Sequence, residues 1–280
     1  MRIGIVGAGT MGAGIAEVFA RVDGFEVRLT DATEELATKG RDRQIAGLDR
    51  QVAKGRLTGD ERDAIAARLT VATAEDFADC DLVIEAIAED AATKRTLFEK
   101  LDRIAGPTAI LATNTSSLSV TELARGLDHP VVGMHFFNPA PVMKLVEVIA
   151  GEQTDDFTVA QVMSIADAVG KTPIRVAEAA GFVVNRILVP MINEAVEVLA
   201  NGTATAEDID AAMRLGANHP IGPLALGDLI GLDVVLAIME VFQAETGDPK
   251  YRPHPLLRKL VRAGKLGRKT GQGFFEYATR

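Results

Sequence analysis

Four histidines occur in the chain, and His129, His219 and His254 each stand directly before a proline. The residue ahead of proline is biased to extended or turn backbone, so those three read as loop residues. His135 differs, because it closes an apolar, strand-like run over residues 131–134. Residues 136–141, Phe-Phe-Asn-Pro-Ala-Pro, are turn-forming, and residues 142–149 resume as a strand. Pairing of the two runs about that turn would bring His135 near Glu147, an acid in phase with Met143, Leu145 and Ile149 on an otherwise apolar face. Buried acids are rare unless paired. A carboxylate on one imidazole nitrogen fixes the tautomer and raises the basicity of the other, which makes a general base. The competing readings are a core histidine satisfied by its surroundings, and a Glu147 that points to solvent from an edge strand.

A second constellation lies at the start of the chain. Gly7-Ala8-Gly9-Thr10-Met11-Gly12 matches G-x-G-x-x-G, follows the strand-like run 3–6 and opens a helical stretch toward Arg21. The first glycine allows the tight turn, the second lets a pyrophosphate approach the backbone, and the third lets helix and strand lie close. The helix N-terminus presents unpaired N–H groups to the phosphates. A second strand-like run ends at Asp31, roughly the ~20 residues on at which an acid accepts hydrogen bonds from the adenosine ribose. Such an acid repels the 2′-phosphate of NADP, so the cofactor expected is NAD. The plainer reading of Asp31 is a helix N-cap before residues 32–35.

Asn114-Thr115-Ser116-Ser117 follows the run 109–112 and supplies an amide and hydroxyls at a strand's carboxyl end. Ligands of open α/β sheets bind beyond those ends. A cap for the helix after Ser119 would explain one of the four residues. Cys80, the single cysteine, has no histidine nearby in sequence, and no H-E-x-x-H or C-x-x-C spacing suggests a metal. A dinucleotide, a base and polar orienters point to hydride transfer from a secondary alcohol.

These residues need a scaffold that holds strand ends in a row. Strand-like runs at 3–6, 26–30, 69–72, 82–86, 109–112 and 131–134 alternate with helical stretches, which predicts a parallel α/β sheet. Runs at 145–149 and 174–176 follow, and from Gly181 onward the spacing is helical, over 183–200, 206–217 and 224–245. The expectation is a Rossmann-type α/β domain over residues 1–180 with a mostly parallel sheet, and an all-helical domain over 181–280. A chain of 280 residues accommodates two domains. Its net charge of −9 repels phosphate backbones, which argues against a nucleic-acid partner. No stretch of about 20 apolar residues would span a membrane. One cysteine and an opening segment that reads as structure place the expected location in the cytoplasm.

Taken together with Gly181-Phe182-Val183-Val184-Asn185-Arg186 and Leu215-Gly216-Ala217-Asn218-His219-Pro220, the motifs resemble the 3-hydroxyacyl-CoA dehydrogenase family along the whole chain. The resemblance implies NAD-dependent oxidation of a short (S)-3-hydroxyacyl-CoA such as 3-hydroxybutyryl-CoA, in fatty-acid or butanoate metabolism. It implies that His135 takes the substrate hydroxyl proton, that Glu147 orients His135, and that Ser116 and Asn185 hydrogen-bond the 3-oxygen or the thioester region. Glu89, Lys94, Asn114 and Asn138 match positions lining the nicotinamide half of the cofactor site. The helical domain would bind substrate and form a homodimer.

Residues 39–62 carry seven basic residues against four acids. Arg43, Arg50 and Lys54 fall within a narrow arc of a helix, with Ile45, Leu48 and Val52 on the other side. The stripe is either a solvated face or a contact for the phosphates of coenzyme A, and the resemblance favours Arg50 and Lys54 as substrate contacts. A second basic stretch, residues 250–269, suggests no role. Two other functions compete: a β-hydroxyacid dehydrogenase acting on a free acid, which would not need the His135–Glu147 pair, and a non-catalytic NAD-binding protein, which would not need the site set at all.

Overall fold

The computed structural model describes residues 1–278 and resolves into two compact units, Met1–Ala179 and Ala180–Arg280. The first alternates strands and helices: β1 (Arg2–Val6), α1 (Thr10–Ala20), β2 (Glu26–Thr30), α2 (Glu34–Ala53), α3 (Gly59–Arg68), β3 (Leu69–Val71), β4 (Leu82–Glu85), α4 (Ala91–Ile104), β5 (Ile110–Thr113), α5 (Val120–Ala124), β6 (Val131–Phe136), β7 (Leu145–Ala150), α6 (Asp156–Ala168) and β8 (Thr172–Ala177). They form one eight-stranded sheet of order β3-β2-β1-β4-β5-β6-β7-β8. Every pairing is parallel except β6 with β7. The strand order reverses between β1 and β4, the switch point of a Rossmann-type sheet, where a crevice opens beyond the carboxyl ends.

Strand periodicity decides which side chains reach each face. Ile3 and Ile5, Val27 and Leu29, Leu82 and Ile84, Val132 and Met134, and Val146 and Val148 enter one core with Ile15, Phe19, Leu48, Ile65 and Val162 of α1, α2, α3 and α6. Each such side chain stabilises the fold by roughly 1.5–3 kcal/mol through burial. The residues between them face the other way. Register then sets Glu85 beside Thr113, Thr113 beside Gly133, and His135 beside Glu147, so the buried polar residues of β4 to β7 share the opposite face.

Two sequence-based boundaries change. The strand expected over 142–149 begins only at Leu145. Pro139 and Pro141 lack N–H groups for a ladder, and Val142 N and Met143 N both donate to Pro139 O, so this segment folds as a turn. His135 lies inside β6 rather than just past it.

The second unit contains α7 (Val184–Ala200), α8 (Ala206–Gly216), α9 (Pro223–Ile230), α10 (Leu232–Thr246) and α11 (Pro255–Arg262). The single helical stretch expected over 224–245 is two helices, parted at Gly231, whose φ of +106° no helix can include. Val189, Ile192, Val196, Leu224, Leu232, Val235 and Phe242 form the core of this unit. Buried Asp210 accepts Leu224 N at 2.8 Å and Ala225 N at 2.9 Å, capping the start of α9. Asp228 accepts Phe274 N, Phe275 N and the Tyr277 hydroxyl, each at 3.0 Å, and ties the last described segment to α9. Among the described residues no helix is long and apolar enough to cross a membrane.

Candidate active site

The glycine turn joins β1 to α1. A side chain at Gly7, whose φ is +101°, would set Cβ 2.6 Å from Ala86 O, and one at Gly12 would set it 1.8 Å from Gly7 O. The fold itself therefore requires both glycines. At Gly9 a Cβ meets nothing within 4 Å, and φ is an ordinary −65°. No neighbour in the first unit's own packing requires that glycine, and the open space above it fits a pyrophosphate brought against the backbone. Thr10 and Met11 form the first turn of α1. Asp31, at the end of β2, accepts Ala8 N at 2.6 Å on one oxygen and Ala32 N at 2.7 Å on the other. Thr33, not Asp31, is the N-cap of α2. Each Asp31 oxygen keeps a second lone pair with which to accept a ribose hydroxyl. A cleft of about 1200 Å³ opens here, lined by Asp31, Val71, Thr73, Ile87 and Leu97 among others, and it suits an adenosine.

The base pair lies farther along the same edge. His135 Nδ1 is 2.7 Å from Glu147 Oε2, and the two residues are 5% and 0% exposed. The antiparallel pairing of β6 and β7 puts them directly opposite each other. Glu147 therefore points inward, against the solvent-facing alternative. With a carboxylate on Nδ1, the neutral ring is held as the Nδ1–H tautomer and Nε2 carries the lone pair. The Phe137 ring lies 4.5 Å from the imidazole, tilted by 52°.

Between the glycine turn and His135 runs a polar network that the sequence reading saw only in part. Lys94 on α4 is 1% exposed, and its Nζ lies 2.5 Å from Glu85 Oε1 and 3.3 Å from Glu89 Oε2. Glu85, fully buried at the end of β4, also accepts Ile87 N and the Thr113 hydroxyl, each at 2.7 Å. Glu89 Oε1 accepts the Thr115 hydroxyl at 2.6 Å, Ser116 N at 2.8 Å, Ser117 N at 3.1 Å and the Ser116 hydroxyl at 3.3 Å. Burial acts to raise the Glu89 carboxyl, but the Lys94 charge and the bonds from Thr115 and Ser116 hold it below the usual carboxylate range. Asn114 donates its N–H to Glu85 O, and its Oδ1 accepts Phe136 N at 2.8 Å, linking β5 to β6 beside His135. Asn138 is exposed just past β6. Glu85 and Thr113 were not expected. Their signal is a charged and a hydroxyl residue each closing an apolar strand.

Lys171 was also missed. Its buried Nζ donates to Ala140 O at 2.6 Å and Met143 O at 2.8 Å, tethering the turn between β6 and β7. Burial, with Lys144 and Arg21 nearby, pushes its pKa down. Cys80 is buried and its thiol is pushed up to about 11 by desolvation, unsuited to nucleophilic attack. Arg50 and the α2 C-cap Lys54 are exposed, with Leu48 buried on the other side of the helix. Arg43 departs from that stripe, since its Nη2 donates to Ala8 O at 2.9 Å. Asn185 lies in the first turn of α7, in the second unit.

A Rossmann-type sheet with an acid after β2, a glycine turn and an imidazole–carboxylate pair at its carboxyl edge defines a nucleotide-dependent oxidoreductase. Residues 2–179 match the 3-hydroxyacyl-CoA dehydrogenase NAD binding domain, and residues 181–277 match the C-terminal domain of the same enzymes. The 3-hydroxybutyryl-CoA dehydrogenase of Clostridioides difficile is 51% identical over 99% of each chain. The mitochondrial hydroxyacyl-coenzyme A dehydrogenase of Homo sapiens is 42% identical over 98% of this chain and 90% of its own. The crystal structure of (S)-3-hydroxybutyryl-CoA dehydrogenase from Ralstonia eutropha superposes with a TM-score of 0.95 at 48% identity, covering 99% of each chain. The chain belongs to the 3-hydroxyacyl-CoA dehydrogenase family, as an NAD-dependent oxidoreductase.

Proposed function

We propose that the protein oxidises (S)-3-hydroxybutyryl-CoA, and other short 3-hydroxyacyl-CoA esters, reversibly to the 3-oxoacyl-CoA. The observation that carries this reading is the buried His135–Glu147 pair, 2.7 Å apart at the carboxyl edge of the sheet. His135 takes the proton of the substrate 3-hydroxyl at Nε2 as hydride leaves C3, and Glu147 stabilises the imidazolium that results. NAD, when bound, supplies the hydride acceptor. Ser116 and Asn185 hold the 3-oxygen or the thioester carbonyl. Gly7, Gly9, Thr10, Met11, Gly12 and Asp31 hold the adenosine and pyrophosphate, while Glu89, Lys94, Asn114 and Asn138 border the nicotinamide half. Arg50 and Lys54 contact the phosphates of coenzyme A.

In this reading residues 1–180 bind the cofactor, and residues 181–280 bind substrate and pair two copies into a homodimer. Ile187, Leu215 and Leu229 of the second unit are exposed at 67%, 86% and 51% and offer apolar side chains for such an interface. The enzyme works in the cytoplasm, which the lack of any cysteine besides Cys80 supports.

The test is NADH formation across a series of (S)-3-hydroxyacyl-CoA esters, with the free acids as controls. Turnover should need the CoA ester. His135→Gln should lower kcat by about 10²–10⁴, the usual contribution of a positioned acid–base group. Glu147→Gln should lower it as well, and the double variant should be little worse than the worse single one, since the two act as a unit. A folded, NADH-binding His135→Gln protein within a few-fold of wild-type kcat would remove His135 from the mechanism.

A further inference from the structure

Three groups converge on Ala8, the residue between the first two glycines of the turn. Asp31 accepts its N–H at 2.6 Å, from the end of β2. Helix α2 reaches its other side. Gly40, buried on α2, lies so close that a Cβ there would sit 2.5 Å from Ala8 O and 2.6 Å from Ala8 Cβ. Three residues on, along the same face of the helix, Arg43 donates Nη2 to that carbonyl oxygen at 2.9 Å.

The bonded oxygen belongs to the peptide that joins Ala8 to Gly9. In a trans peptide the C=O and N–H point in opposite directions. Drawing the Ala8 carbonyl toward α2 therefore aims the Gly9 N–H away from α2, on the side opposite Arg43. A cation on the carbonyl also polarises the peptide and makes that N–H a stronger donor. The same cation adds positive potential beneath the place where two phosphates would lie.

We infer that Arg43 is a positioning residue for the cofactor, not a coenzyme A contact: through Ala8 it fixes and polarises the peptide whose N–H meets the pyrophosphate, and Gly40 is the gap that lets α2 come close enough. The inference rests on the reading of the glycine turn as the pyrophosphate site. It separates Arg43 from Arg50 and Lys54, which share its arc on α2 but whose side chains make no hydrogen bond or ion pair among the described residues.

The experiment titrates NADH into wild type, Arg43→Ala, Arg43→Lys and Gly40→Ala by fluorescence, with thermal melts and KM for an acyl-CoA substrate measured on the same proteins. Arg43→Ala should raise the NADH Kd roughly tenfold, the worth of one charge-assisted hydrogen bond. Its KM for acyl-CoA should stay within about twofold, the signature of an effect confined to the cofactor. Arg43→Lys should recover most of the loss, because an ammonium can donate to the same carbonyl. Gly40→Ala should raise the NADH Kd by forcing α2 off the turn. A raised KM for acyl-CoA with unchanged NADH affinity would return Arg43 to the coenzyme A stripe and overturn the inference. So would unchanged affinity for both ligands, or an Arg43→Ala loss shared by both ligands that Arg43→Lys does not rescue. Gly9→Ala serves as the control on the underlying reading. If it too leaves NADH affinity intact, the glycine turn is not the pyrophosphate site; if it abolishes binding while Arg43→Ala does nothing, only the role of Arg43 fails.

Discussion

Replacing Gly9 by alanine separates a glycine kept for a ligand from glycines kept for the fold. The backbone at Gly9 has φ −65° and ψ −168°, which alanine adopts, and an added Cβ meets nothing within 4 Å. Reduced freedom in the unfolded chain should add about 0.4–1 kcal/mol of stability. Gly9 is also the N-cap of α1, where alanine is poorer than glycine by up to about 1 kcal/mol. The two effects oppose, so net stability should change by less than about 1 kcal/mol, or a melting shift under roughly 4 °C. Cofactor binding should respond differently. A methyl group in the space above the turn holds a phosphate off the backbone and forfeits at least one hydrogen bond to a charged group, worth about 1.5–3 kcal/mol. At 1.4 kcal/mol per tenfold, the NADH Kd should rise roughly 10- to 150-fold. Gly12→Ala is the opposite case: its Cβ would lie 1.8 Å from Gly7 O, so α1 must shift and the melting temperature should fall clearly. Calorimetry and NADH fluorescence titration measure both quantities. A stable Gly9→Ala protein with wild-type NADH affinity would refute the assignment of the pyrophosphate to this turn.

The other predictions concern single sites. Asp31→Ser should weaken NAD and narrow its preference over NADP, because the carboxylate both accepts a ribose hydroxyl and repels a 2′-phosphate; a wild-type kcat/KM higher for NADP would contradict this. Arg50→Ala or Lys54→Ala should raise KM for acyl-CoA with NAD unaffected, as lost ground-state binding does, and added salt should mimic the effect in wild type. If both variants keep wild-type KM at low and high salt, the stripe is a solvated face. Glu85→Gln removes the nearer partner of buried Lys94 and should cost about 3 kcal/mol or more, the usual loss on breaking a buried pair from one side. Its melting temperature should drop several degrees, and an unchanged melt would show that the pair does not hold the β4–α4 connection.

Much of the architecture follows from local pattern. The apolar runs and their helical intervals are enough to place the strands of the sheet within two residues, apart from the start of β7, because a strand buried on both faces must be apolar along its length. Gly7, Gly9 and Gly12 announce the turn, and the period change near residue 180 announces the helical unit. The pairing of His135 with Glu147 was legible as well, since a hairpin about a proline-rich turn leaves few registers that keep both apolar faces inside.

Tertiary structure decided which polar groups share a charge. Glu85, Thr113 and Lys171 lie on strand ends or a connection, and nothing in their neighbours along the chain says that Lys94 or the 139–144 turn will come to meet them. The division of the basic stripe on α2 was equally hidden. Helical spacing makes Arg43, Arg50 and Lys54 equivalent, and only the approach of α2 to the glycine turn at Gly40 puts one of them on Ala8. Periodicity records which face of an element is apolar, because burial acts on every residue of that face. It does not record which element crosses above, and the partner of a hydrogen bond is set by that crossing.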